Sequence, residues 1–396
     1  MYLSRFGVKN YKCLGEIDIP LTPIHVLIGE NDAGKTSLLE ALAAFYASTD
    51  CSNLSQAFPG PWEGSELVLH SSPERRIELW GEWGQLEPEE SGANPDNFRY
   101  GFVVDFPTTG TNCRTPGDWI ERGGKHLQLS GRRNPQNTSI ERWKAGALDI
   151  DDSDANLISS AMNSAHKYAL SARLMAAPAA IDPNRKFRLD PDGFGLSTLL
   201  DDILGFDPEI FLAVRKAFCE FFPQFKSLRI ESEKALRRHY SPNGIHSADS
   251  QIGKGIFIET RGSQTIRAQQ ASDGAILFLG FLALAHIPDP PNLLLIEEPE
   301  NGIYPKRLGE VIALLKELVH RTEGVRFPQI IMSTHSPYVL SFFEPEEVTF
   351  LSRTSEKPDA PVRARPLRDA PNVREGGFYL GELWYNLSEE ELFGDA

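Results

Sequence analysis

The run Gly29-Glu30-Asn31-Asp32-Ala33-Gly34-Lys35-Thr36 sets two glycines, a lysine and a threonine at the G-x-x-x-x-G-K-[ST] spacing of a phosphate-binding loop. Glycines let the backbone wrap an anion closely, and successive N–H groups with a helix N-terminus supply positive potential. Lys35 would reach the β- and γ-phosphates of a nucleotide, and the Thr36 hydroxyl would coordinate Mg²⁺. Asn31 and Ser37 complete the loop residues expected around the phosphates. The alternative is a glycine-rich turn with no ligand.

Three further groups have the composition for phosphate chemistry. Glu297 and Glu298 close the apolar run Asn292-Leu293-Leu294-Leu295-Ile296, at the end of a strand where α/β sheets place their chemistry. Consecutive strand residues point to opposite sides, which predicts Glu297 on the Mg²⁺ shell and Glu298 against the water that attacks the γ-phosphate. A solvated acidic strand end is the plain alternative. Ile330-Ile331-Met332-Ser333-Thr334 leads to His335, which would donate a hydrogen bond to the γ-phosphate or serve as a structural histidine. Ser272-Asp273-Gly274 precedes the apolar helix expected at Ala275–Ala285 and reads as its N-cap. Ser272 and the Gly274 amide would equally suit the γ-phosphate of a nucleotide held by another subunit.

These residues need strands and helices behind them. Ile24–Ile28 reads as the buried strand before the loop and Ser37–Ala43 as the helix after it, with strands at Tyr2–Tyr11 and Gly15–Pro20 leading in. Alternation at Arg76–Trp83 and Phe98–Val104, with shorter stretches near Trp119, His126–Leu129 and Ile140–Trp143, predicts a small antiparallel sheet. Helical spacing follows at 154–168, Leu196–Leu204 and Pro208–Phe222. The polar stretch 238–255 reads as a mobile loop, and Ile256–Thr260 with Thr265–Ile266 as a hairpin. The resulting division is 1–150 for the first part of an ATPase lobe with its antiparallel subdomain, 151–250 for a mostly helical insertion and mobile loop, and 251–396 for the rest of the lobe.

A net charge of −15 argues against a generally basic surface that grips nucleic acid. Cys13, Cys51, Cys113 and Cys219 form no C-x-x-C pair and read as buried or free thiols. The longest apolar run, Ile276–Ile287, is too short to span a bilayer. The N-terminus enters a strand pattern at once, without a signal peptide. A cytoplasmic protein with no membrane partner is expected.

In this order the four elements resemble the ATP-binding-cassette ATPase class, specifically the heads of the RecF, structural-maintenance-of-chromosomes and OLD families. Asn10-Tyr11-Lys12 with Gly29–Thr36 is similar to the N-terminal half of such heads. Ser272-Asp273-Gly274 resembles the signature motif, with Ala271 where leucine is usual. Glu297-Glu298-Pro299-Glu300-Asn301-Gly302-Ile303-Tyr304-Pro305 resembles the second nucleotide motif of OLD-type proteins, with Glu297 where aspartate is commoner. Ser333–Pro337 resembles their histidine switch. Both ends of the chain are covered well and 45–250 poorly.

The resemblance implies an α/β P-loop NTPase of the ABC-ATPase type, with a mixed central sheet, an antiparallel β subdomain and an inserted helical lobe. It implies a head-to-tail homodimer around two ATP molecules with Mg²⁺: Lys35 and Thr36 on phosphate and metal, Glu298 activating water, His335 reading the γ-phosphate. The 61 residues after His335 are too few for the TOPRIM nuclease domain of OLD proteins. Phe378–Trp384 would supply one last ATPase element, and Arg363, Arg365, Arg368 and Arg374 either a solvated basic strand or phosphate contacts. The expectation is a stand-alone ATPase that regulates a separately encoded effector, a nuclease, in antiviral or mobile-DNA defence. The alternatives are a RecF-like ATPase that binds DNA directly in repair, a transporter subunit, and an ATP-driven dimerisation switch with negligible turnover.

Overall fold

Short runs of Ile, Leu and Val with no polar alternation are stable only where both faces of a strand are covered, and they form the centre of the sheet. The computed structural model describes residues 1–51, 53–58, 60–84, 97–129, 136–146, 150–241, 244–320, 328–355, 357, 359–370, 373, 380 and 381, leaving aside the side chains of 239–241, 244–248 and 320. The chain forms two compact units, one of residues 1–167, 291–295 and 328–396, the other of 168–290 and 296–327.

The first unit opens with β1 (Tyr2–Tyr11), β2 (Leu14–Pro20), β3 (Ile24–Ile28) and α1 (Lys35–Ala47). An antiparallel meander follows in β4 (Arg76–Gly84), β5 (Phe98–Asp105), β6 (Arg114–Arg122) and β7 (Lys125–Gln128), then α2 (Ser139–Lys144), α3 (Asp152–Ala161) and β8 (Ala165–Tyr168). All five residues of β3 are buried. Its neighbours both come from the far end of the sequence. One is β14 (Gln329–Thr334), parallel from Ile330↔Ile24 to Thr334↔Ile28. The other is β15 (Val348–Arg353), parallel from Val348↔Val26 to Phe350↔Ile28. With β13 (Leu293–Glu297) and β16 (Val362–Pro366), twelve strands run in the order β7-β6-β5-β4-β1-β2-β16-β15-β3-β14-β13-β8. Leu38, Leu39, Leu42 and Phe45 of α1 are fully buried, and Phe45 lies against Phe6, Trp83, Tyr100 and Phe102.

Buried polar side chains tie the sheet across the sequence. The Gln329 amide nitrogen donates to the Leu3 and Thr22 carbonyls at 2.9 and 3.0 Å, and its oxygen accepts from the Leu3 N–H at 3.1 Å. His25 in β3 is fully buried, with Nδ1 3.0 Å from Thr22 Oγ1 and Nε2 2.9 Å from Thr349 Oγ1. Burial above all, and the nearby Arg368 charge, push its pKa down to about 3.

Two expectations for this unit change. Ile140–Trp143 lies in α2, not in a strand: the Thr138 hydroxyl caps the helix by accepting from the Glu141 N–H, and Ile140 is the buried anchor. The helical reading of 154–168 ends at Ala161, after which β8 begins. Arg363 and Arg365 sit half-buried on β16, between β2 and β15 in the sheet. Arg374, and Phe378–Trp384 apart from Leu380 and Gly381, lie outside the described residues.

The second unit contains α4 (Ala172–Met175), β9 (Ala179–Ala180), α5 (Leu196–Phe206), α6 (Pro208–Phe221), β10 (Phe225–Ser241), β11 (Gly244–Thr260), β12 (Thr265–Arg267), α7 (Asp273–Ala285) and α8 (Pro305–His320). The helices expected near 196 and 208 are α5 and α6, and the hairpin around Gly262 is β11–β12. The stretch 238–255, expected as a mobile loop, lies instead in the long ribbon β10–β11, paired antiparallel from Phe225↔Thr260 to Ser241↔Gly244. Polar residues such as Asp249 and Gln251 fall where an apolar face would be needed to announce a strand. All four cysteines are free. Among the described residues no helix is long and apolar enough to cross a membrane, and no group of three or more His, Cys, Asp or Glu could hold a metal.

Candidate nucleotide site

In the first unit β3 stops at Ile28 and α1 starts at Lys35, so residues 29–34 make the whole connection. Gly34 caps α1 at φ +83° and no side chain caps the helix, leaving its first N–H groups to the loop. A Cβ on Gly29 would collide with the Leu351 carbonyl and stand 2.9 Å from the Ala33 Cβ, so the loop's first residue has to be glycine. Lys35 is only 7% exposed, and its Nζ donates to the Gly29 and Glu30 carbonyls at 2.8 and 2.7 Å. Asn31 and Thr36 are exposed, and Ser37 lies 3.5 Å from the Cys13 sulfur. One turn along α1, Glu40 pairs with Lys12 and, at 3.6 Å, with Lys167.

The register brings His335 to this loop's side of the sheet. Thr334 is the β14 partner of Ile28, so Gly29 and His335 leave adjacent parallel strands at the same end. His335 is exposed, and the Ser336 N–H donates to Thr334 Oγ1 at 3.0 Å, turning the chain there.

The second unit carries the acidic pair and the signature-like segment. Glu297 is the last residue of β13, and Glu298 departs from the strand at φ +44°, a left-handed conformation uncommon for a side-chain-bearing residue. Glu298 thus lies beyond the last strand residue, and the strand alternation expected from sequence does not extend to it. Two bonds from one residue close that turn: Asn301 N–H to the Glu298 carbonyl at 3.0 Å, and Asn301 Nδ2 to Glu298 Oε2 at 2.6 Å. Sequence reading passed over Asn301 as a site residue; an Asn three residues beyond a Glu in a Pro/Gly-containing turn was the available signal.

Ser272 is the N-cap of α7, but its side chain makes no capping bond; its carbonyl accepts from Ala275 and Ile276 instead. Gly274 packs on the loop that follows Glu298: a Cβ there would lie 3.2 Å from the Gly302 carbonyl. Gly302 itself has φ +81°, and a Cβ on it would meet Leu277 Cδ1 at 2.8 Å. The phosphate loop and His335 thus share the first unit, while Ser272, Gly274, Glu297 and Glu298 share the second.

Residues 24–341, from β3 to just past α9 (Pro337–Leu340), match the family described as "AAA domain, putative AbiEii toxin, Type IV TA system". The chain is 24% identical to an OLD nuclease from Thermus scotoductus, over 99% of this chain and 70% of that protein. Its fold is similar to an Smc head bound to the C-winged-helix domain of ScpA, with a TM-score of 0.52 and 15% identity over 92% of this chain and 97% of that one. An Smc head with an extended coiled coil, bound to the C-terminal domain of ScpA derived from Pyrococcus furiosus, matches at a TM-score of 0.51 and 13% identity over 94% and 98% of the two chains. Phosphate loop, sheet topology and relatives agree: the chain belongs to this AAA family and is an ABC-like P-loop ATPase of the OLD/SMC group.

Proposed function

We propose that the protein hydrolyses ATP in a head-to-tail homodimer and thereby switches a separately encoded effector, a nuclease, in defence against phage or mobile DNA. The observation that carries the hydrolytic part is Lys35, held by main-chain carbonyls across a loop that ends at an uncapped helix N-terminus. Such a loop offers N–H groups and an ammonium to a triphosphate. Lys35 exchanges its two carbonyls for phosphate oxygens when nucleotide enters. Water attacks the γ-phosphorus as the bond to the β-bridging oxygen breaks, and Glu298 takes the water's proton. His335 donates to a γ-phosphate oxygen, and Ser272 with Gly274 of a second copy closes the site.

The exposed Thr36 hydroxyl and the Glu297 carboxylate are hard oxygen donors of the kind Mg²⁺ takes. If bound, Mg²⁺ would supply neutralisation of the negative charge on the nucleotide phosphates.

The effector reading is supported by the OLD nuclease relative, 70% of whose length this chain matches. Light scattering of the Glu298→Gln protein with Mg-ATP tests the switch. A shift from monomer to dimer that ADP does not produce is expected, and an unchanged mass overturns the sandwich. Immobilised Glu298→Gln protein loaded with ATP should also retain an ATP-dependent nuclease activity from its native host's extract. Retention of duplex DNA by the purified protein alone, without any partner, would replace the effector reading by the DNA-binding one.

A further inference from the structure

We propose that Asn301 is the positioning residue of the hydrolytic carboxylate, a role that rests on Glu298 being the base. Glu298 stands at φ +44°, where a residue with a side chain is held only if its surroundings fix it. Asn301 makes two bonds to it, one to its carbonyl and one, at 2.6 Å, to Oε2. The turn is anchored in its own unit by Gly302, packed against Leu277 and Gly274 of α7.

The chemistry suits a primary amide. Asn301 Nδ2 donates to Glu298 Oε2 and fixes the carboxylate's orientation without placing a second charge beside it. Asn301 is exposed, so shortening it opens no cavity, and its main-chain bond survives substitution.

Steady-state hydrolysis of Mg-ATP by the full chain tests this with Asn301→Ala, Asn301→Asp, Glu298→Gln and the double variant Asn301→Ala/Glu298→Gln, all with wild-type melting temperatures. Asn301→Ala should lower kcat about tenfold with KM within about twofold. Asn301→Asp replaces the donor by an acceptor of the same size; it should lower kcat at least as far, with KM again within about twofold. In the Glu298→Gln background Asn301→Ala should cost nothing more. Wild-type kcat in both Asn301 variants, with Glu298→Gln inactive, would overturn the role of Asn301 and leave Glu298 as the base. Wild-type turnover by Glu298→Gln would instead overturn the base assignment. A further loss in the double variant would separate Asn301 from Glu298 and also overturn the proposal.

Discussion

Lys35 is 7% exposed and donates to the Gly29 and Glu30 carbonyls, whereas Glu298 is half-buried in a left-handed turn and accepts from the Asn301 side-chain amide. The first arrangement is written into backbone geometry: glycine at 29, a helix start at 35, strands on both sides of β3. The second depends on a particular side chain three residues away. A binding loop built from backbone tolerates change around it, while a catalytic group held by one amide can be tuned by one substitution. Under the proposed function, affinity is built into the fold and rate rests on the acidic turn.

The contrast can be broken in four places. Glu298→Gln should reduce turnover on the order of 10³-fold while ATP still binds, measured by single-turnover hydrolysis beside equilibrium binding. Equal loss of both would mean that the acidic turn also builds affinity. Lys35→Ala should weaken ATP binding on the order of 10²-fold in a titration with a fluorescent ATP analogue, since it removes a charged donor from a buried site. Near-normal affinity would show the N–H groups of the loop sufficing alone.

His25 probes the scaffold under the backbone-built half. Its folded pKa of about 3 lies below the ordinary value of 6.5, so the unfolded chain takes up the proton that the folded one refuses. Stability is therefore complete above about pH 6.5 and falls as pH drops towards 3, by about 2 kcal/mol at pH 5. Urea unfolding at pH 7 and pH 5 should show that decrement, and His25→Gln should reduce it. Gly302→Ala probes the other half: at φ +81°, with Leu277 in the way, it should cost about 1 kcal/mol and lower kcat with little change in ATP affinity. A larger effect on affinity than on kcat would move this turn from the rate side to the binding side.

The phosphate loop was legible because its spacing alone fixes a turn between a buried strand and a helix, and β13 and β14 because apolar runs of five or six residues have few other folds. What stayed hidden was either polar on both faces or decided by a single dihedral. The ribbon β10–β11 gives no period-2 apolar stripe over its outer half, since main-chain pairing rather than burial forms it. Ile140–Trp143 alternates like a strand, yet the Thr138 cap and one buried Ile140 suffice for a helical turn. The departure of Glu298 at φ +44° follows from no local propensity: a residue before proline is steered towards extended conformations, so only the bonds from Asn301 reveal it.

The position of β3 between β14 and β15 has a consequence for biosynthesis. The strand that carries the phosphate loop has no neighbour made earlier than residue 329. At ribosomal rates of about 5–20 residues per second, β3 waits roughly 15–60 s for its first lateral partner. Contacts spanning more than 300 residues, such as Leu3 with Gln329, also make the closing step a slow one. Nascent chains interrupted before β14 therefore hold the phosphate-loop sequence without its fold, and an apolar strand in that interval is a natural client for chaperones.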